Sequence, residues 1–261
     1  MGILKNYLLR LNFFRNFLYI IYLFFGKKIK FKDSYYLHYI KKNIFINFHP
    51  VKNLSNFFQA HKDFTKKFSP GKNNIILDVG AGLGSEMLIF SKQVGLNGKV
   101  ICLEPDPRLF KVLEYILKIN KLKNIILYKK AFYYKNNQKL KFILNPINNW
   151  MANSLDFTKN KKIHIVSTIT INKIIEERKI REINFAKFNI EGAEKYLITG
   201  NNKFLKICQN IVVSCHDFLN KKEYQTYQIV KRVLEDHSFK IFKNKSNNNI
   251  QKYFIFATKT Y

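Results

Sequence analysis

The stretch from Asn73 to Glu86, NNIILDVGAGLGSE, decides how the rest of the chain is read. It opens with an apolar run, Ile75, Ile76 and Leu77, reaches the acid Asp78, and passes Gly80, Gly82 and Gly84 before an amphipathic segment starts at Ser85. A buried parallel strand must be apolar on both faces, and glycine lets a backbone turn tightly and approach a ligand that a Cβ would exclude. The stretch predicts strand, glycine turn and helix, with the turn, Ala81 included, as a cofactor seat. Dinucleotide folds set a pyrophosphate on a helix N-terminus with G-x-G-x-x-G. Here the spacing is G-x-G-x-G, with a carboxylate two residues before the first glycine. A carboxylate suits a cationic ligand better than a pyrophosphate, and S-adenosylmethionine carries both a sulfonium and an ammonium.

A second strand strengthens this reading. Gly98 leads into Lys99, Val100, Ile101, Cys102 and Leu103, and then into Glu104, which lies 26 residues beyond Asp78. An acid at the end of the second strand is placed to accept hydrogen bonds from ribose hydroxyls. The expected cofactor residues are Asp78, on the amino-acid end, with Gly80, Ala81, Gly82, Gly84, Glu104, Pro105 and Ala131.

At 261 residues and 47% hydrophobic content the chain can bury the core of one α/β domain with an N-terminal extension. Its net charge of +29 points toward phosphates or anionic membranes. The lysines are nevertheless spread along the chain among many Asn and Ile, a pattern that a biased coding composition also produces. Cys102, Cys208 and Cys215 form no C-x-x-C pair and no metal spacing. An odd count without a framework argues for a reducing, cytoplasmic compartment and against a disulfide scaffold.

Residues 1–70 read as a basic aromatic extension, expected to be helical, and Ser69-Pro70-Gly71 marks its boundary with a domain at 71–261. The uninterrupted apolar run from Phe17 to Phe25 is too short for a bilayer span, which takes about 20 residues. Lys27, Lys28 and Lys30 follow Gly26 where a signal peptide would need a cleavage site. Two expectations stand for residues 1–30: a helix on an anionic membrane surface, or one packed on its own domain or a second subunit. Further on, Asp106 reads as an N-cap with Pro107 at the first helical position, and Gly95 as the end of the preceding helix. The segment from Tyr133 to Leu144 reads as a hairpin or an extension of the sheet. The irregular NPINNWMANSLDF that follows, with Trp150, reads as a substrate-covering loop or a plain connection.

A fourth strand, INFAKFNI from Ile183 to Ile190, runs into Glu191-Gly192-Ala193-Glu194, which places Asn189, Glu191 and Glu194 near the pocket. Through DVGAGLG, through LEPDP at Leu103–Pro107 and above all through KFNIEGAE at Lys187–Glu194, the chain resembles the FkbM family of class I methyltransferases. The resemblance spans roughly residues 73–258. It implies a Rossmann-like, mostly parallel seven-stranded sheet with helices on both faces and a last antiparallel strand, supplied by Tyr253–Thr258. It also implies S-adenosylmethionine as cofactor and methylation of a hydroxyl on a sugar, glycan or secondary-metabolite precursor. Two positions depart from the family: Asn189 stands where it usually has Asp in Lys-Ile-Asp-Val-Glu-Gly, and Asn172 where it has Asp in Thr-Leu-Asp.

The fifth strand, Ile211 to Cys215, ends at His216 and Asp217. A histidine there can remove a hydroxyl proton, since its unperturbed pKa near 6.5 suits a base at neutral pH. His216, Glu191 and Asn189 are the expected catalytic residues, and no metal ligands are assigned. The rival readings are an RNA methyltransferase, favoured by charge but lacking a recognised RNA module, and a non-catalytic binding protein whose site acids have become asparagines. Nicotinamide binding is excluded by the spacing of the glycines.

Overall fold

The computed structural model describes residues 28–32, 35–48, 55–144, 162–197 and 202–260. The first described segment is β-sheet: β1 (Lys28–Lys32), β2 (Tyr35–Ile40) and β3 (Asn43–Asn47) pair antiparallel in that order. The expectation of a helical extension is corrected here. YYLHYI and NIFIN are rich in β-branched and aromatic residues, and Lys41, at φ 53°, turns one strand tightly onto the other. Helix α1 (Asn56–Phe64) follows and buries Phe57 and Phe64. The segments 1–27 and 145–161, with the expected membrane contact and the expected covering loop, lie outside the described residues.

Next come β4 (Ile75–Val79), α2 (Ser85–Val94), β5 (Lys99–Leu103), α3 (Pro107–Ile119) and β6 (Ile125–Tyr128). Both caps of the early helices form as expected. Gly95, at φ 73°, ends α2, and the Asp106 side chain accepts from the Arg108 N–H at 2.8 Å ahead of Pro107. The segment from Tyr133 to Leu144, expected as a hairpin or an extension of the sheet, holds one strand, β8 (Lys139–Leu144), which pairs antiparallel with β9 (Lys162–Ile169), while β7 (Ala131–Phe132) just before it runs parallel to the same β9. Thr168, wholly buried, draws the turn onto β9 by accepting the Gln138 N–H and donating to Lys135 O.

The chain closes with α4 (Ile171–Arg178), β10 (Ile183–Phe188), β11 (Cys208–Ser214), α5 (Tyr227–Asp236), β12 (Phe239–Phe242) and β13 (Phe254–Lys259). The main sheet has the order β12-β13-β11-β10-β4-β5-β6, and β13 alone runs antiparallel to its neighbours. Period-two alternation sorts its side chains into two cores. Ile76, Val100, Phe185, Val212 and Phe256 pack with α1, α2, α3 and the small N-terminal sheet. Leu77, Ile101, Ala186, Ile211 and Ile255 pack with α4 and α5. The N-terminal sheet is therefore part of the domain's packing, and Asn120 at the end of α3 fastens it by bonding both the N–H and the C=O of Ile44 at 2.7 and 2.9 Å. No helix among the described residues is long and apolar enough to cross a membrane.

Candidate cofactor and active site

The carboxyl ends of β4, β5, β10 and β11 open into a cleft of about 690 Å³, within the range of small-molecule sites. Its shape begins with the glycine loop. The N–H groups of Gly80 and Ala81 both donate to Leu103 O, at 2.9 and 3.1 Å, which folds the loop back over β5. Gly80 has φ +81°, and a Cβ on it would stand 2.1 Å from the carbonyl oxygen of Asn189, so the loop and the end of β10 meet backbone to backbone. Gly80, Ala81 and Gly82 line the cleft, and Glu104, Pro105 and Ala131 face it as well. Gly84 does not. A Cβ there would lie 2.6 Å from Leu113 Cδ2, so this glycine lets α2 approach α3, and its expected cofactor contact is corrected to a packing role.

Glu104 is 5% exposed and holds the loop from the side. Its Oε2 accepts the Gly82 N–H at 2.8 Å and its Oε1 the Asp106 N–H at 2.9 Å. Burial pushes its pKa up to about 8 even though both N–H donors favour the carboxylate. An anchored carboxyl at the end of the second strand fits a ribose diol.

Asp78 takes a different place from the one expected. It lies on the same face of β4 as Ile76, is fully buried, and does not line the cleft. Its Oδ1 is 2.9 Å from Lys187 Nζ, directly across on β10. The same ammonium donates to Gly80 O at 2.6 Å. Burial works against the charge of Lys187, but Asp78 and Glu86 outweigh it and raise its pKa, so the side chain stays cationic. Asp78 and Lys187 together prop up the first glycine from below.

The far wall carries a row of three ionisable side chains. His216 Nδ1 is 2.9 Å from Glu194 Oε1, and its Nε2 is 3.3 Å from Glu191 Oε2. Glu194 is wholly buried and also accepts the Ile190 N–H at 3.2 Å, whereas Glu191 is 22% exposed and lines the cleft. The backbone turns there through Glu191 at φ 51° and Gly192 at φ 92°, and a Cβ on Gly192 would come 2.5 Å from Tyr224 Cδ1. Burial disfavours an imidazolium, yet Glu194 and then Glu191 outweigh it and push His216 up to about 10. At neutral pH the ring is therefore already protonated, which corrects its reading as the resting base. Asp217 is engaged elsewhere: its Oδ2 accepts the N–H groups of Thr226 and Tyr227, both at 3.0 Å, at the start of α5.

Asn189 lines the cleft, while its N–H donates to Val79 O at 3.0 Å. Asn172, the other departure, lies outside the cleft, where its Oδ1 accepts the Phe204 N–H at 3.1 Å and ties α4 to the turn before β11. The residues that sequence reasoning missed are Lys187, Glu86 and the inner face of α1, where Asn56, Phe57, Ala60, Asp63 and Phe64 reach the cleft. Lys187 did leave a signal, a lone cation within the apolar strand INFAKF.

A seven-stranded sheet closed by an antiparallel strand, with a glycine loop after its central strand and an anchored acid after the next, defines a class I methyltransferase fold. The methyltransferase FkbM domain matches residues 78–241, and the chain belongs to that family. It is a methyltransferase with S-adenosylmethionine as its cofactor. No curated protein matches the chain. Among solved structures, a SAM-dependent methyltransferase from Aquifex aeolicus is 18% identical over 80% of this chain and 94% of its own, with a TM-score of 0.44. Aeropyrum pernix fibrillarin with natively bound S-adenosyl-L-methionine is 11% identical over 88% and 98% of the two chains, TM-score 0.43. An O-methyltransferase from Bacillus cereus in complex with SAH is 11% identical over 81% and 83%, TM-score 0.46.

Proposed function

We propose that the protein transfers the methyl group of S-adenosylmethionine to a hydroxyl oxygen of a small-molecule or glycan acceptor. The observation that carries this reading is the row Glu191, His216 and Glu194, of which Glu191 and His216 line the cleft and Glu194 lies buried behind the ring. A hydroxyl must give up its proton as its oxygen is methylated, so an oxygen acceptor needs a proton sink beside it. The cofactor supplies a methyl group on sulfur that is already a good leaving group. What remains for the chain is in-line placement of the acceptor and removal of that proton. Glu191, the exposed member of the row, takes the proton. The His216 imidazolium hydrogen-bonds its carboxylate and holds it in place, and Glu194 balances the ring from behind. Asn189, beside Glu191 on the cleft, offers an amide to the acceptor.

The net charge of +29 favours a second reading, an RNA acceptor, which predicts activity that falls steeply with salt. The two separate in one experiment. Methyl-labelled S-adenosylmethionine is incubated with the protein and either a panel of hydroxylated small molecules and saccharides or total RNA. The expected result is label in an ether of the first panel, reduced about 10²-fold or more in Glu191→Gln. Label confined to RNA or to nitrogen, or full activity in that variant, would overturn the reading. Asn189→Asp gives a further check, because activity gained on restoring the acid would mean that the present site has decayed.

A further inference from the structure

The amino-acid end of S-adenosylmethionine carries an ammonium that needs an anionic partner, and Asp78 is not free to be that partner because Lys187 holds it beneath the loop. The last turn of α1 lies at this end of the cleft. The Phe64 ring stacks on Phe254 at 5.0 Å and 10°, and Lys187 Nζ, which bonds Gly80 O, stands 5.2 Å from its centroid. Asp63, the adjacent residue, is half-buried and lines the cleft. Gln59, one turn earlier, donates to its Oδ1 at 2.8 Å and steadies the carboxylate. Asp33 and Asp63 are the only acids in the first 70 residues, so this carboxylate stands out in a segment otherwise crowded with lysine.

We propose that Asp63 is a cofactor-binding residue, through which the N-terminal helix α1 supplies the carboxylate that receives the ammonium of S-adenosylmethionine. The inference rests on the cofactor assignment and extends the binding site beyond residues 78–241, where the family domain matches. Glu86, the other carboxylate at this end of the cleft, is the weaker anion, since burial raises its pKa.

The test uses calorimetric titration of the full chain with two ligands. S-adenosylhomocysteine keeps the ammonium, and 5′-methylthioadenosine is an adenosine thioether lacking the amino-acid end. Asp63→Asn is expected to weaken S-adenosylhomocysteine by about 10- to 100-fold, the worth of a charge-assisted hydrogen bond, and to leave methylthioadenosine unchanged. Unchanged methylthioadenosine binding also certifies that the variant is folded. Equal losses for both ligands, no loss for either, or a selective loss produced by Glu86→Gln instead would overturn the proposal. Failure of the unaltered protein to bind either ligand would sink the cofactor assignment with it.

Discussion

Replacing Lys187 by methionine removes the prop under the glycine loop. The Lys187 and Asp78 side chains are 2% and 0% exposed and meet at 2.9 Å. Asp78 Oδ2 has no hydrogen-bond partner among the described residues, so the carboxylate depends on that one ammonium. Taking away one member of a buried pair costs about 3–5 kcal/mol, while replacing both by apolar groups of similar volume is often neutral. Lys187→Met should therefore destabilise the fold by about 3–5 kcal/mol, and adding Asp78→Leu should restore most of the loss. Urea unfolding followed by far-ultraviolet circular dichroism measures both. With a slope of about 2–3 kcal/mol/M, the single variant lowers the midpoint by about 1–2 M. A single-variant loss under about 1 kcal/mol, or a double variant no better than the single, would refute a charge-coupled pair at this position.

Gly80→Ala drives a methyl group to within 2.1 Å of Asn189 O at a φ of +81°, and should cost more than about 1–3 kcal/mol in thermal unfolding together with most cofactor affinity. Glu104, raised to about 8, must release its proton to accept from ribose hydroxyls, so affinity for S-adenosylhomocysteine should rise from pH 6 to pH 8, and Glu104→Gln should flatten that profile. The same shift lowers stability as pH climbs from 4.5 to 8, because the folded protein keeps a proton that the unfolded chain releases, and Glu104→Gln removes this slope as well. His216 has the same sign over a higher pH window. Its pKa is raised from 6.5 to about 10, so its contribution is complete below 6.5 and is lost as pH rises through 10, and nuclear magnetic resonance should find the ring protonated at pH 8.

Local signals were enough for the elements that build the sheet. Ile75–Val79 and Lys99–Leu103 are apolar runs ending in acids, and Asp106-Pro107 and Gly95 are helix ends with backbone causes, so α2 and α3 appeared where the chain predicted them. The small N-terminal sheet was misread because its aromatic strands, with lysines in β1 and in the turn between β2 and β3, share the composition of a basic amphipathic helix. Gly84 looked like its neighbours in the loop, and only the approach of Leu113 separates it from them. The site's electrostatics were hidden for a different reason. Asp78 meets Lys187 across 109 positions and His216 meets Glu194 across 22, pairings that exist only once the order and register of β4, β10 and β11 are known. Histidine chemistry was expected at the end of the fifth strand, but the charge on the ring is decided by acids on the neighbouring one.

The stack of Phe64 on Phe254 joins the helix that precedes the sheet to the strand completed last. That last strand, β13, lies between β11 and β12, so β12 cannot take its place until the chain beyond it has been made. During synthesis the glycine loop can form early, yet the wall of the cleft facing α1 stays open until β13 threads between its neighbours. A bound nucleoside therefore stabilises only the form in which β13 is in place between its neighbours.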